Sequence, residues 1–177
     1  EFRRDGAAVS QPRCDSCRKF DRLQHPDLLL VFPVPRDTWE KDPTVVAKIL
    51  EKKAQDPYHK PDDFDRPAGI QAEVLRDVVI PAVYSRPVER GTGAVNENGT
   101  KTIVISDADQ MAHDIGNVLL KTLEEPPADC LLVLTTAVPE RLLPTMRSRC
   151  QRLRFAPLAS DWMERRLQSL HGATPAQ

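Results

Sequence analysis

Three short, uninterrupted apolar runs set the terms for this chain: "LLLVFPV" at 28–34, "KTIVIS" at 101–106 and "CLLVLTTAV" at 130–138. Runs of this length without polar alternation suit strands covered on both faces, as in a parallel sheet. A fourth run, "CQRLRFAPL" at 150–158, also reads as a strand. Between them the apolar period changes to that of a helix. In "TVVAKILEKKAQ", Val46, Ile49 and Leu50 share a face, with Thr44 or Asp42 as cap. Ile70, Val74 and Val78 step by four, and Pro81 should kink or end that helix. Met111, Ile115, Val118, Leu119 and Leu123 line one face of a further helix, which the double proline 126–127 stops. A last helix starts at "SDWMERRLQSL", capped by Ser160. Buried strands alternating with helices predict an α/β fold, mostly parallel, with helices on both faces of the sheet.

Chemistry in such sheets gathers beyond the carboxyl ends of the strands. Three strands end there in polar residues: Ser106-Asp107, Thr135-Thr136 and the turn from Pro33 to Arg36. "TIVISDADQM" has the form of a Walker B strand, an apolar strand ending in carboxylates that hold Mg²⁺. The plainer alternative is that Asp107 and Asp109 favour the N-terminus of the following helix. No G-x-x-x-x-G-K-[ST] run is present, and the seven glycines lack the spacing that cradles phosphates, so nucleotide binding by this chain is not expected.

Cys14-Asp-Ser-Cys17 has metal-ligand spacing but supplies half of a tetrahedral zinc site, with His25 the nearest further candidate. The pair leaves thiol redox chemistry open, although no activating environment is visible around it. Cys130 and Cys150 open strand-like runs and read as small core residues. No nucleophile elbow or serine–histidine–acid set is present, which removes hydrolase chemistry of that kind. A net charge of −1 argues against broad charge-driven nucleic-acid binding. No apolar run has the length of a membrane span, the start has no signal-peptide core, and four cysteines fit a reducing compartment, so the expected location is cytoplasmic. "RSRC" at 147–150 puts arginines ahead of the fourth strand, and a solvated basic edge is its plainer reading.

Taken in order, "HPDLLLVFPV", "KTIVISDADQM", "NVLLKTLEEPP" and "LLVLTTAVPERLLPTMRSRCQRLRF" resemble the bacterial DNA polymerase III clamp-loader AAA+ family, most closely its delta-prime branch. The resemblance runs from about Cys14 to about Leu167. It implies a AAA+ P-loop-type sheet whose first strand and phosphate loop would precede residue 1, leaving a gap between the third and fourth strands counted here. Residues 1–158 would form a partial AAA+ core, with 1–27 a remnant of a zinc-module region, 35–69 a Pro-rich charged insert longer than a crossover helix needs, and 159–177 the start of a helical lid. Active members carry Asp-Glu-Ala-Asp where this chain has Ser106-Asp107-Ala108-Asp109, and serine offers no anionic Mg²⁺ ligand. The resemblance therefore implies no ATPase activity and no cofactor held in this chain. Thr135 or Thr136 falls at the sensor position. The family's zinc module spaces cysteines C-x8-C-x2-C-x2-C; Cys14 and Cys17 match the last two, and Phe2 and Gln11 occupy the others.

In the family, the Ser-Arg-Cys triplet formed here by Ser148, Arg149 and Cys150 supplies a trans arginine finger to ATP bound by the neighbouring subunit. Arg149 would be that finger, while Arg147 and Arg152 would be solvated or interface charges. The implied function is a non-hydrolysing stator in a hetero-oligomeric loader. Its partners would be gamma/tau-type ATPase and delta subunits and, indirectly, the sliding clamp and primer-template DNA. The alternatives are a truncated active gamma/tau-type ATPase, which an intact phosphate loop upstream would revive, and a small zinc-binding interaction module around Cys14 and Cys17.

Overall fold

The computed structural model describes residues 14–36, 38–56, 59, 68–89, 99–111 and 113–171. The readings placed on 1–13, including a loosely ordered start, Phe2 and Gln11, and on most of the loop at 89–100 lie outside these residues. In chain order the elements are helix α1 (Asp15–Asp21), strands β1 (Leu28–Val31) and β2 (Val34–Pro35), helices α2 (Thr38–Lys41) and α3 (Pro43–Gln55), and strand β3 (Ala68–Gly69). A π-helical segment (Val74–Val79) then runs into α4 (Ile80–Tyr84), followed by strand β4 (Lys101–Ile105), helix α5 (His113–Glu124), strand β5 (Cys130–Leu134) and helices α6 (Pro144–Arg147) and α7 (Ser160–His171).

The first three apolar runs become β1, β4 and β5, a parallel three-stranded sheet in the order β1-β4-β5. Val31 pairs with Ile105, and Ile105 with Leu134, so the three strands end level. Val31, Ile103 and Ile105 are fully buried against Leu75, Val79, Leu119 and Met146. Each such side chain taken from water contributes about 1.5–3 kcal/mol.

A second apolar cluster forms where β1 leaves the sheet. Phe32, Val34, Val46 and Ile49 pack together, and Trp39 touches both clusters. Asp42 caps α3 by accepting the Val45 N–H, with Pro43 at the start of the helix. The described part of the 35–69 segment thus packs on its own chain through Val46 and Ile49. Gln71 Nε2 donates to the carbonyls of Val34 and Gly69 and ties β2 and β3 to the next helix.

Below the sheet, Asp27 is buried. Its carboxylate accepts the N–H groups of Val88 and Glu89 at 2.7 and 2.8 Å, with Lys101 Nζ 3.9 Å away. This one side chain holds the loop after α4 to the base of β1.

Four expectations are corrected. The run at 150–158 forms no strand: 151–159 has no regular structure and is exposed, with Leu153 71 % and Phe155 86 % accessible. A strand needs a ladder, and β5 is the last strand of the sheet. Pro81 does not end its helix, which continues to Tyr84. The preceding turns widen to π spacing, with the Ile80 N–H on the Leu75 carbonyl, which makes room for the proline ring and its missing N–H. Ile70 and Met111 precede their helices and meet in a parallel bridge. Ser160 is the first residue of α7 rather than its cap; the Ala159 carbonyl accepts from Trp162 and Met163.

Candidate functional site

The level ends of β4 and β5 bring together the polar residues expected there. Ser106 leaves β4 with its N–H on the Val31 carbonyl and its hydroxyl donating to Asp107 Oδ2 at 3.1 Å. Asp107 then takes a left-handed conformation, φ 51°, which aspartate tolerates better than most residues. The turn is held from β5: Thr135 Oγ1 lies 3.4 Å from the Asp107 N–H, and the Thr135 carbonyl accepts the Ala108 N–H. Thr136 Oγ1 donates to Asp109 Oδ1 at 2.5 Å and accepts the Val138 N–H.

The structure therefore joins Ser106, Asp107, Asp109, Thr135 and Thr136 into one bonded corner. Both threonine hydroxyls are engaged within the chain, and Ser106 faces a neighbouring carboxylate as a donor. Such a corner shapes the loop after β4 around its two carboxylates.

Arg149 lies on a separate turn. Proline at the first position of α6 presets its backbone, and Met146 anchors it in the core. Beyond the helix the Thr145 carbonyl accepts from Ser148 Oγ at 3.0 Å and from Arg149 Nη1 at 2.9 Å. Arg149 Nη2 reaches Glu124 Oε1 at 2.6 Å, at the end of α5 where the double proline stops the helix. Ser148 is thus a turn-closing hydroxyl. Arg149 is bonded to Glu124 and Thr145 rather than to Asp107 or Asp109, and its side chain is 34 % accessible. Arg147 and Arg152 are exposed. Glu124 carried no signal in the sequence, because its partner comes from a different element.

At the other end, Cys14 caps α1, its Sγ accepting the Cys17 N–H, and the two sulfurs lie 3.3 Å apart. The His25 ring is already occupied. Its Nδ1 accepts the Asp27 N–H, and Nε2 meets Ser16 Oγ at 2.7 Å and Glu89 Oε2 at 3.1 Å. Among the described residues no group of three His, Cys, Asp or Glu side chains could hold a metal ion. Tetrahedral zinc takes four ligands, and the described residues supply two sulfurs here. Also among the described residues, no helix is long and apolar enough to cross a membrane.

Comparison with known proteins gives consistent matches. The sequence profile of the family described as "DNA polymerase III, delta subunit" matches residues 3–159. "DNA polymerase III subunit delta'" of Bacillus subtilis is 32 % identical over 163 residues, covering 92 % of this chain and 37 % of that protein. The Escherichia coli protein of the same name is 42 % identical over 86 residues, 44 % of this chain and 26 % of that one. "DNA polymerase III subunit tau" of B. subtilis is 35 % identical over 77 residues, 44 % of this chain and 14 % of that one. The chain thus spans well under half the length of these relatives.

Proposed function

This chain belongs to the DNA polymerase III delta-subunit family, and from that membership we propose that it is the non-hydrolysing stator of a clamp loader, a AAA+ assembly that places a ring clamp on primed DNA. The subunit binds gamma/tau-type ATPase subunits and a delta subunit. It acts on hydrolysis by placing Arg149 at ATP held by a neighbour.

One observation carries the reading: Arg149 is fixed to the turn after α6 by Glu124 and Thr145 and bonds to neither carboxylate of its own strand-end corner. A guanidinium held in this way keeps N–H groups for an outside oxyanion. Its planar, permanently charged fork can meet charge developing on a transferring phosphoryl group. Ser106 supports the other half of the proposal, because a hydroxyl donating to Asp107 supplies no anionic ligand for Mg²⁺.

The test reconstitutes the loader with the full-length subunit carrying Arg149→Lys. Lysine keeps the charge and loses the fork, so normal co-elution of the subunits with a clearly reduced stimulated ATPase rate is expected. Failure of the unsubstituted subunit to co-elute with the ATPase subunits would overturn the proposal.

A further inference from the structure

The Cys14–Cys17 pair has no part in the finger, and among the described residues it belongs to no group of three ligating side chains. What remains is two exposed thiols with sulfurs 3.3 Å apart on the first turn of a helix. A disulfide needs the sulfurs at about 2.05 Å, and the neighbouring turn positions of a helix start lie within reach of that closure. We propose that Cys14 and Cys17 form a reversible dithiol–disulfide switch, with Cys14 the entering nucleophile, Cys17 the resolving thiol and a small-molecule disulfide as oxidant.

The roles follow from the asymmetry of the turn. Cys14 Sγ accepts from the Cys17 N–H at 3.4 Å, a bond that favours its anion, and lies 3.3 Å from Cys17 Sγ. Those two contacts hold the Cys14 thiol below its ordinary range, the backbone bond contributing most. Cys17 shifts the other way, chiefly through its side-chain hydrogen bond with Cys14. Cys130 and Cys150 are partly buried, and burial pushes both thiols up, which separates them from the exposed pair.

In the first step the Cys14 thiolate attacks one sulfur of RSSR. The Cys14–SR bond forms as the RS–SR bond breaks, and RS⁻ leaves to become RSH. Cys17 then loses its proton and attacks Cys14 Sγ, the Cys14–Cys17 bond forms, and a second RS⁻ leaves. The protein gives up two electrons and two protons, and RSSR is reduced to two RSH. The product is a covalent staple across the first turn of α1, the helix whose Lys19 is ion-paired with Glu89.

The experiment treats the purified chain with oxidised glutathione, blocks remaining thiols with an alkylating agent and maps the cysteine peptides by mass. Expected is an internal Cys14–Cys17 disulfide, reversed by dithiothreitol, with Cys130 and Cys150 alkylated. Cys17→Ser should trap a glutathione adduct on Cys14, and Cys14→Ser should slow modification of Cys17 about tenfold. No described residue of α1 is buried, so neither variant threatens folding. An adduct on Cys14 that persists in the unsubstituted chain would overturn the proposal. So would a pair that stays reduced, or stoichiometric zinc that blocks oxidation.

Discussion

Asp27 is the side chain whose loss should cost most. It is buried, accepts two backbone N–H groups and lies beside the mostly buried Lys101. Asp27→Ala leaves those donors without a partner and should lower stability by about 3 kcal/mol or more, read as the midpoint of urea unfolding. Gly99 guards the same loop from the other side: its φ is +81°, and a Cβ there would stand 2.2 Å from the Glu89 carbonyl oxygen. Gly99→Ala should therefore destabilise the chain by more than about 1 kcal/mol in the same assay. The Arg149–Glu124 pair behaves differently. Both side chains are partly exposed, so Glu124→Gln should change stability by less than about 1 kcal/mol. None of these contacts was legible in the sequence, since the Val88 partner of Asp27 lies 61 positions away along the chain. Chain spacing carries no signal at that distance. The strand-end residues were legible, because a polar pair closing an apolar run marks its own place in a parallel sheet.

Among the elements, the three runs that became strands have neighbours to bond, and the fourth does not. Leu119 is fully buried on α5, and Leu119→Ala should cost about 2–5 kcal/mol. Phe155, 86 % exposed, should tolerate alanine within about 0.5 kcal/mol in this chain despite its size. Thermal unfolding of the two variants side by side checks the contrast; a large loss from Phe155→Ala would mean that the 151–159 segment is packed. The helices show the same balance of local and tertiary effects. Asp42 was a legible cap, whereas the π-helical turns that absorb Pro81 could not be read from periodicity. The Asp42 carboxylate is held below its usual range, first by the Thr44 hydroxyl and then by the Val45 N–H. A carboxylate depressed on folding contributes stability above its unfolded value and loses it as pH falls through the folded one. The start of α3 should accordingly loosen below the carboxylate range, seen as faster amide exchange at Val45.

At the scale of the whole molecule, two regions divide the work. The sheet and its strand-end corner are closed upon themselves, with Thr135 and Thr136 bonded inward, while the turn after α6 carries an accessible arginine on a buried methionine anchor. In the proposed stator, Arg149 would be the residue that completes a neighbour's site from this turn, where Glu124 and Thr145 hold it. The measurement that tests this most directly is the DNA- and clamp-stimulated ATPase rate of a reconstituted loader containing the full-length subunit, with Arg149→Ala compared with Arg147→Ala. The account predicts that Arg149→Ala lowers the rate about tenfold or more, equivalent to ~1.4 kcal/mol of transition-state stabilisation, while Arg147→Ala leaves it near normal and both assemblies stay intact. An unchanged rate with Arg149→Ala in an intact assembly would contradict it.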